Sequence, residues 1–112
     1  MATREDTIEF LLDQLSALPG VRSRKMFGEY CLYYDEKPVA FVCDDELLIK
    51  PTDAGRAYVE AAGPVDEAEA YPGSKMYFRI TGDRCENREW LAGLVELTAS
   101  ALPAPRAKKV KK

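Results

Sequence analysis

The hydrophobic period of the chain changes at Pro19-Gly20, from 3.6 residues to 2, and stays at 2 as far as Lys50. Before the change, "TREDTIEFLLDQLSALPG" places Ile8, Leu11, Leu12, Leu15 and Leu18 on one helical face, with Asp6, Glu9 and Asp13 mostly opposite. Thr3 followed by Asp6 has the form of a capping box, and Pro19-Gly20 is a stop signal. After it, "RSRKMFGEYCLYYD" is rich in strand formers but too long for one strand. It reads as two, over 23–27 and 29–34, with Gly28 supplying a bend, bulge or tight turn. A turn at 35–38 follows, and Pro38 can only begin the next strand or lie at an edge. Strands at 39–43 and 47–50 complete the run, separated by "DDE". Four strands joined by such short turns form an antiparallel meander.

The remainder alternates more slowly. "PTDAGRAYVEAAGP" predicts a short helix capped by Thr52 or Asp53, with Ala54, Ala57, Tyr58 and Ala61 as its packing face and Gly63-Pro64 as its end. A short strand is expected near 67–71. "SKMYFRIT" then reads as a strand with Met76, Phe78 and Ile80 directed to the core and Lys75, Tyr77 and Arg79 away from it. A final helix carries Leu91, Leu94, Val95, Thr98 and Leu102 inward, widened by Trp90, Leu97 and Ala101. The expected fold is α+β: a two-layer sandwich in α-β(4)-α-β(1-2)-α order, with helices on one face of an antiparallel sheet of five to six strands. The folded domain is expected over 1–102, followed by a disordered basic tail over 103–112.

A length of 112 residues fits one domain with a modest core. No apolar run is long enough to suggest a membrane span, and "MATREDTIEF" is acidic where a secretory signal would be basic, so a cytoplasmic location is expected. Cys31, Cys43 and Cys85 are odd in number, lack a CxxC spacing and have no histidine beside them, which points to free thiols rather than a disulfide framework or zinc. A Cys31–Cys43 pair across a hairpin stays open. The absence of histidine also removes Ser–His and Cys–His chemistry and the commonest general base. Asp44, Asp45 and Glu46 lack the spacing of a calcium loop and read as a polar turn. No metal and no cofactor are expected. Residues 1–102 carry 11 Lys and Arg against 19 Asp and Glu, a net of −8, while 103–112 carry +5. The acidic body repels a phosphate backbone and the short tail attracts one.

The stretch "KMFGEYCLYY" at 25–34 admits two readings. In one it is a base-stacking strand, with Arg24 and Lys25 beside Phe27 and Tyr30. The glycine does not follow the basic residue directly, Glu29 interrupts the pattern, and the chain opens with a helix rather than in βαββαβ order. In the other it is a covered strand. Met26, Tyr30, Leu32 and Tyr34 alternate with Phe27, Cys31 and Tyr33, so neither face is clearly polar. One face then packs on helices and the other meets a second copy of the chain, since large exposed apolar patches are unusual on monomers.

The block "RKMFGEYCLYYDEKPVAFVCDDELLIKPTD" at 24–53 resembles the N-terminal domain of the TfoX/Sxy family, the bacterial regulators of natural competence. The resemblance rests on Arg24, Met26, Phe27, Gly28, Tyr30, Leu32, the turn at 35–37 and "AFVCDDELLIK" ending at Lys50. "MYF" at 76–78 and the Trp90-led "EWLAGLVELTASA" resemble the family's later strand and final helix. Met26, Phe27, Gly28, Tyr30, Lys50 and Trp90 are therefore expected to be structural. The resemblance implies an α+β domain with no catalytic residues, in a stand-alone form lacking the family's second, helical domain. Where the family's hairpin carries glycine, this chain has Cys31 and Glu36, so a stiffer hairpin is expected. The implied function is a non-enzymatic regulatory or protein-interaction domain, acting as a homodimer or with another protein partner. The alternative is a nucleic-acid-associated protein contacting phosphates through Arg24, Lys25 and the tail residues Arg106, Lys108, Lys109, Lys111 and Lys112. A ligand-binding protein or small enzyme using Tyr30, Tyr33 and a cysteine has least support, because no activating base or phosphate loop accompanies them.

Overall fold

A computed structural model describes residues 3–26, 29–70 and 73–102. Helix α1 spans Glu5–Gln14, and strands β1 (Val21–Met26), β2 (Glu29–Tyr34), β3 (Lys37–Cys43) and β4 (Glu46–Ile49) follow it. Helix α2 covers Asp53–Ala62, β5 Glu67–Glu69, β6 Met76–Ile80, α3 Gly82–Cys85 and α4 Arg88–Ala101. The strands form one antiparallel sheet in the order β1-β2-β3-β4-β6-β5. This is the α+β sandwich expected, with β5 short and at the edge.

Two-residue turns make the meander. Asp35-Glu36 and Asp44-Asp45 all have positive φ, at 56°, 65°, 54° and 64°. Two successive left-handed residues define the hairpin turn whose twist matches that of paired strands. Asp tolerates this conformation and Glu does so less readily. Pro38 lies inside β3, short of the stretch paired with β4, which begins at Ala40, and at the place where the register with β2 shifts between Leu32 and Tyr33. The bulge accommodates a residue that has no N–H to offer the ladder. The bend expected at Gly28 lies outside the described residues. β1 and β2 pair up to Met26 opposite Glu29.

The core lies between one sheet face and the helices. Tyr30, Leu32, Val42, Leu47, Ile49, Phe78 and Ile80 from the sheet meet Ile8, Leu11, Leu15, Val59, Leu91, Leu94 and Val95. Five local expectations are corrected. Thr3 does not cap α1, whose first residues are capped from a distance by Asp45, and the helix ends at Gln14 rather than at Pro19. Met76 is 45% exposed, because the strand begins beyond the reach of the helices. Ala101 is exposed too. In α2 the buried residues are Gly55 and Val59, while Ala54, Ala57 and Ala61 face solvent. Thr52 caps this helix as expected, accepting from the Gly55 amide at 2.9 Å. A Cβ at Gly55 would lie 2.8 Å from the capping hydroxyl and 3.7 Å from both the Phe78 ring and the Thr98 hydroxyl, so glycine lets α2 settle on β6 and α4.

Both ends of the described chain are tied to β3. The Thr3 hydroxyl donates to Glu29 Oε1 at 2.6 Å, lies 3.1 Å from the Val42 carbonyl, and accepts from the Asp45 amide. At the other end of the strand, Lys37 Nζ donates to the carbonyls of Ala99 at 2.8 Å and Leu102 at 3.2 Å. A cation there complements the negative end of α4.

Candidate functional site

The second face of the sheet carries no helix among the described residues. Register places Arg22 and Arg24 of β1, Cys31 and Tyr33 of β2, Phe41 and Cys43 of β3, and Leu48 of β4 on this side. Tyr77 and Arg79 of β6 join them. The expected apolar patch is absent. Cys31, Leu48 and Tyr77 are only 2%, 2% and 5% exposed within the single chain. Phe41 meets Tyr77 edge to face, with centroids 5.6 Å apart, and the Arg22 guanidinium sits 4.8 Å over the Tyr33 ring. Long basic side chains lay their stems on apolar neighbours and keep their charge in water. The face is thus a tight apolar floor under a polar surface.

Its charges are segregated along the strands. At the end marked by the Asp44-Asp45 turn stand Glu29, Asp44 and Glu46, around Cys43. Toward the opposite end stand Lys50 and Lys75, with Arg22 and Arg24 along β1. Two arginines are partly neutralised: Arg22 by Glu36 at 2.8 Å, and Arg79 by Asp66 at 2.8 Å and Glu46 at 3.5 Å. The thiols report the same division. Burial raises the pKa of Cys31, against the pull of Tyr33, Lys50, Arg22 and Arg24. Burial raises that of Cys43 as well, with Glu29 and Asp44 adding to it. Burial pushes Cys85 up to about 11. All three thiols are free and held protonated at neutral pH, unlike the activated thiolates of nucleophilic cysteines. Burial lowers the pKa of Lys50. Among the described residues no cluster of three His, Cys, Asp or Glu could hold a metal ion, and no helix is long and apolar enough to cross a membrane.

The family model of the TfoX N-terminal domain matches residues 13–102, and so takes in the whole sheet. The chain belongs to the TfoX N-terminal domain family. An uncharacterized 12.7 kDa protein in the trpE 5′ region of Spirochaeta aurantia is 43% identical over 111 residues, covering 99% of this chain and 93% of that protein. The family is a regulatory one.

In this TfoX N-terminal domain the motif residues have separate tasks. Tyr30 is buried on the helix face. Lys50 is half-buried just beyond β4, and its amide donates to the Val39 carbonyl at 3.0 Å. Trp90 stacks on Tyr58 at 5.5 Å and accepts that phenol's hydrogen bond on its carbonyl at 2.9 Å, joining α4 to α2. The side chain of Met26, Phe27, Gly28 and the tail residues Arg106, Lys108, Lys109, Lys111 and Lys112 lie outside the described residues. Arg24 and Lys25 are not brought together. Arg24 pairs with Cys31 and faces the open side, whereas Lys25 pairs with Tyr30 and faces the other. The residues that sequence reasoning missed on the open face are Arg22, Phe41, Glu46 and Lys75. Their period-2 alternation was visible, but which alternate set shares a face across strands depends on register. A separate groove of about 510 Å³ lies between the β2–β3 turn and α4. Its one lysine, Lys37, is already engaged with the end of α4.

Proposed function

We propose that this protein is a non-enzymatic interaction domain of the competence-regulator kind, acting in the cytoplasm as a homodimer through the open face of its sheet. The observation that carries this reading is a face with an apolar floor and opposite charges at its two ends, on a domain whose thiols are protonated and which has no histidine to act as a base. Such a surface suits binding rather than turnover. Sedimentation equilibrium of the full chain tests it. A concentration-dependent dimer is expected, and Phe41→Glu, at the centre of the face, is expected to yield a folded monomer. A purely monomeric wild-type chain at every concentration would refute the homodimer.

A second reading, direct contact with nucleic acid, is supported by Arg24, Lys50 and Lys75 on one face and by the +5 tail. Base stacking has little support, since Arg22 covers the Tyr33 ring and Tyr77 is buried. Any such binding would be electrostatic and salt-dependent. A gel shift with random duplex at low salt, comparing the full chain with one lacking 103–112, decides between tail and sheet. No shift with either removes this reading.

A further inference from the structure

We infer that two copies pack open face to open face about a dyad running across the strands, so that Glu46 of each copy meets Lys50 of the other. This rests on the homodimer proposed above and adds its orientation. Two sheets stacked face to face by a two-fold axis leave that axis in the plane between them. It can run along the strands or across them. A dyad along the strands keeps position along each strand, and so brings the Glu29, Asp44 and Glu46 end onto itself. The Lys50 and Lys75 end would likewise meet itself. Both contacts are repulsive. A dyad across the strands reverses position along each strand and sets the acidic end of one copy over the basic end of the other. Like charges placed opposite each other select against the first arrangement as strongly as the pairs favour the second.

Within β4 the geometry is direct. Glu46 and Leu48 alternate on the open face, and Lys50 continues the alternation just past the strand end. A dyad passing over Leu48 therefore exchanges Glu46 with Lys50. Along the same row, Phe41 of the two copies meet near the axis over the covered floor, while Arg24 and Arg79 face their own counterparts, Arg79 already neutralised by Asp66 and Glu46. Sheets packed face to face lie within about 30° of alignment, which leaves this exchange intact. Six strands roughly 4.8 Å apart and about five residues deep present on the order of 480 Å² of face. The pair then covers about 1,000 Å², the lower end for specific interfaces. Association of this size is weak enough that charge placement governs it.

The experiment is a charge exchange on the full chain, read as a dimer dissociation constant by sedimentation equilibrium at low salt. E46K and K50E each place two like-charged pairs in the interface. Each is expected to weaken self-association by about tenfold or more. A mixture of the two single variants restores opposite charges at both contacts, and so does the double variant E46K/K50E. Both are expected to recover wild-type association. Circular dichroism melts of every variant verify the fold, since E46K also removes one carboxylate from Arg79 while Asp66 retains it. Wild-type dimers whose strength ignores these changes, or a mixture no tighter than either variant alone, would overturn the orientation and leave the homodimer standing. A wild-type chain that stays monomeric would overturn both.

Discussion

Thr98 is completely buried, and its hydroxyl is the one buried side-chain polar atom among the described residues without a hydrogen-bond partner. It sits in α4 where α2 and β6 converge, at the contact that Gly55 makes possible. An unsatisfied buried hydroxyl costs about 1–3 kcal/mol. Valine has nearly the same shape and a similar helix propensity. Thr98→Val removes the orphaned group and adds buried methyl surface, so a gain of about 1–2 kcal/mol is expected. For a domain near 100 residues that raises Tm by roughly 5–10 °C. Thermal unfolding by circular dichroism reads the shift, and urea titration shows whether the midpoint moves at constant m. Thr98→Ser, which keeps the hydroxyl and leaves a void where the methyl was, should fall below wild type. If Thr98→Val melts lower instead, the hydroxyl is bonded after all, most simply to the carbonyl one turn back at Leu94, and the account of this junction fails.

Three further outcomes are expected. Phe78→Ala should cost about 3–5 kcal/mol, because Phe78 is 1% exposed at the centre of the core; an unchanged Tm would refute the register of β6. Glu36→Gly should stabilise by about 0.5–1 kcal/mol, the relief of a left-handed glutamate less the entropy glycine adds to the unfolded chain; the exposed Arg22 pair it forfeits counts for little, and a lower Tm would show that it counts for more. Asp45→Ala should lower Tm at neutral pH, since that carboxylate accepts from the Arg4 amide at 2.9 Å and the Thr7 hydroxyl at 2.8 Å. These bonds hold the Asp45 pKa below the usual carboxylate value, so its contribution is present above that value and disappears as pH falls through the lowered one. Wild type and variant should therefore converge in acid, and a difference that does not shrink as pH falls would contradict this.

The parts legible in the sequence were those governed by near neighbours. Period-2 alternation located all four strands of the meander, and Thr52 was recognisable as a cap because its acceptor role is local. Thr3 had the same local form as a cap but found partners in β2 and β3 instead, while the true cap, Asp45, lies 41 positions from Arg4. No window on the sequence contains that pair. In α2 the alanines looked like a packing face because small residues permit close approach. The helix turned Gly55 and Val59 inward, since glycine allows closer approach still and valine alone supplies real apolar surface. The open face was the least legible feature. Reading Glu46 and Lys50 as like-facing needs only the strand period, but seeing that acids gather at one end and lysines at the other needs the pairing of β2, β3, β4 and β6. The burial of Cys31, Leu48 and Tyr77 within the single chain, which removes the expected apolar patch, is likewise a tertiary feature.

The two clasps on β3 have a mechanical consequence. Thr3 is fastened beside Val42 and Leu102 beside Lys37, at opposite ends of one strand whose neighbours on both sides are β2 and β4. Tension applied between these anchor points runs along β3. The load would pass through the backbone of β3 itself, and the side-chain clasps at its two ends, rather than its ladders to β2 and β4, would bear the force first. A domain strung this way between two tethers is expected to release its ends before its sheet gives, with the strand that organises the sheet as its tensile member.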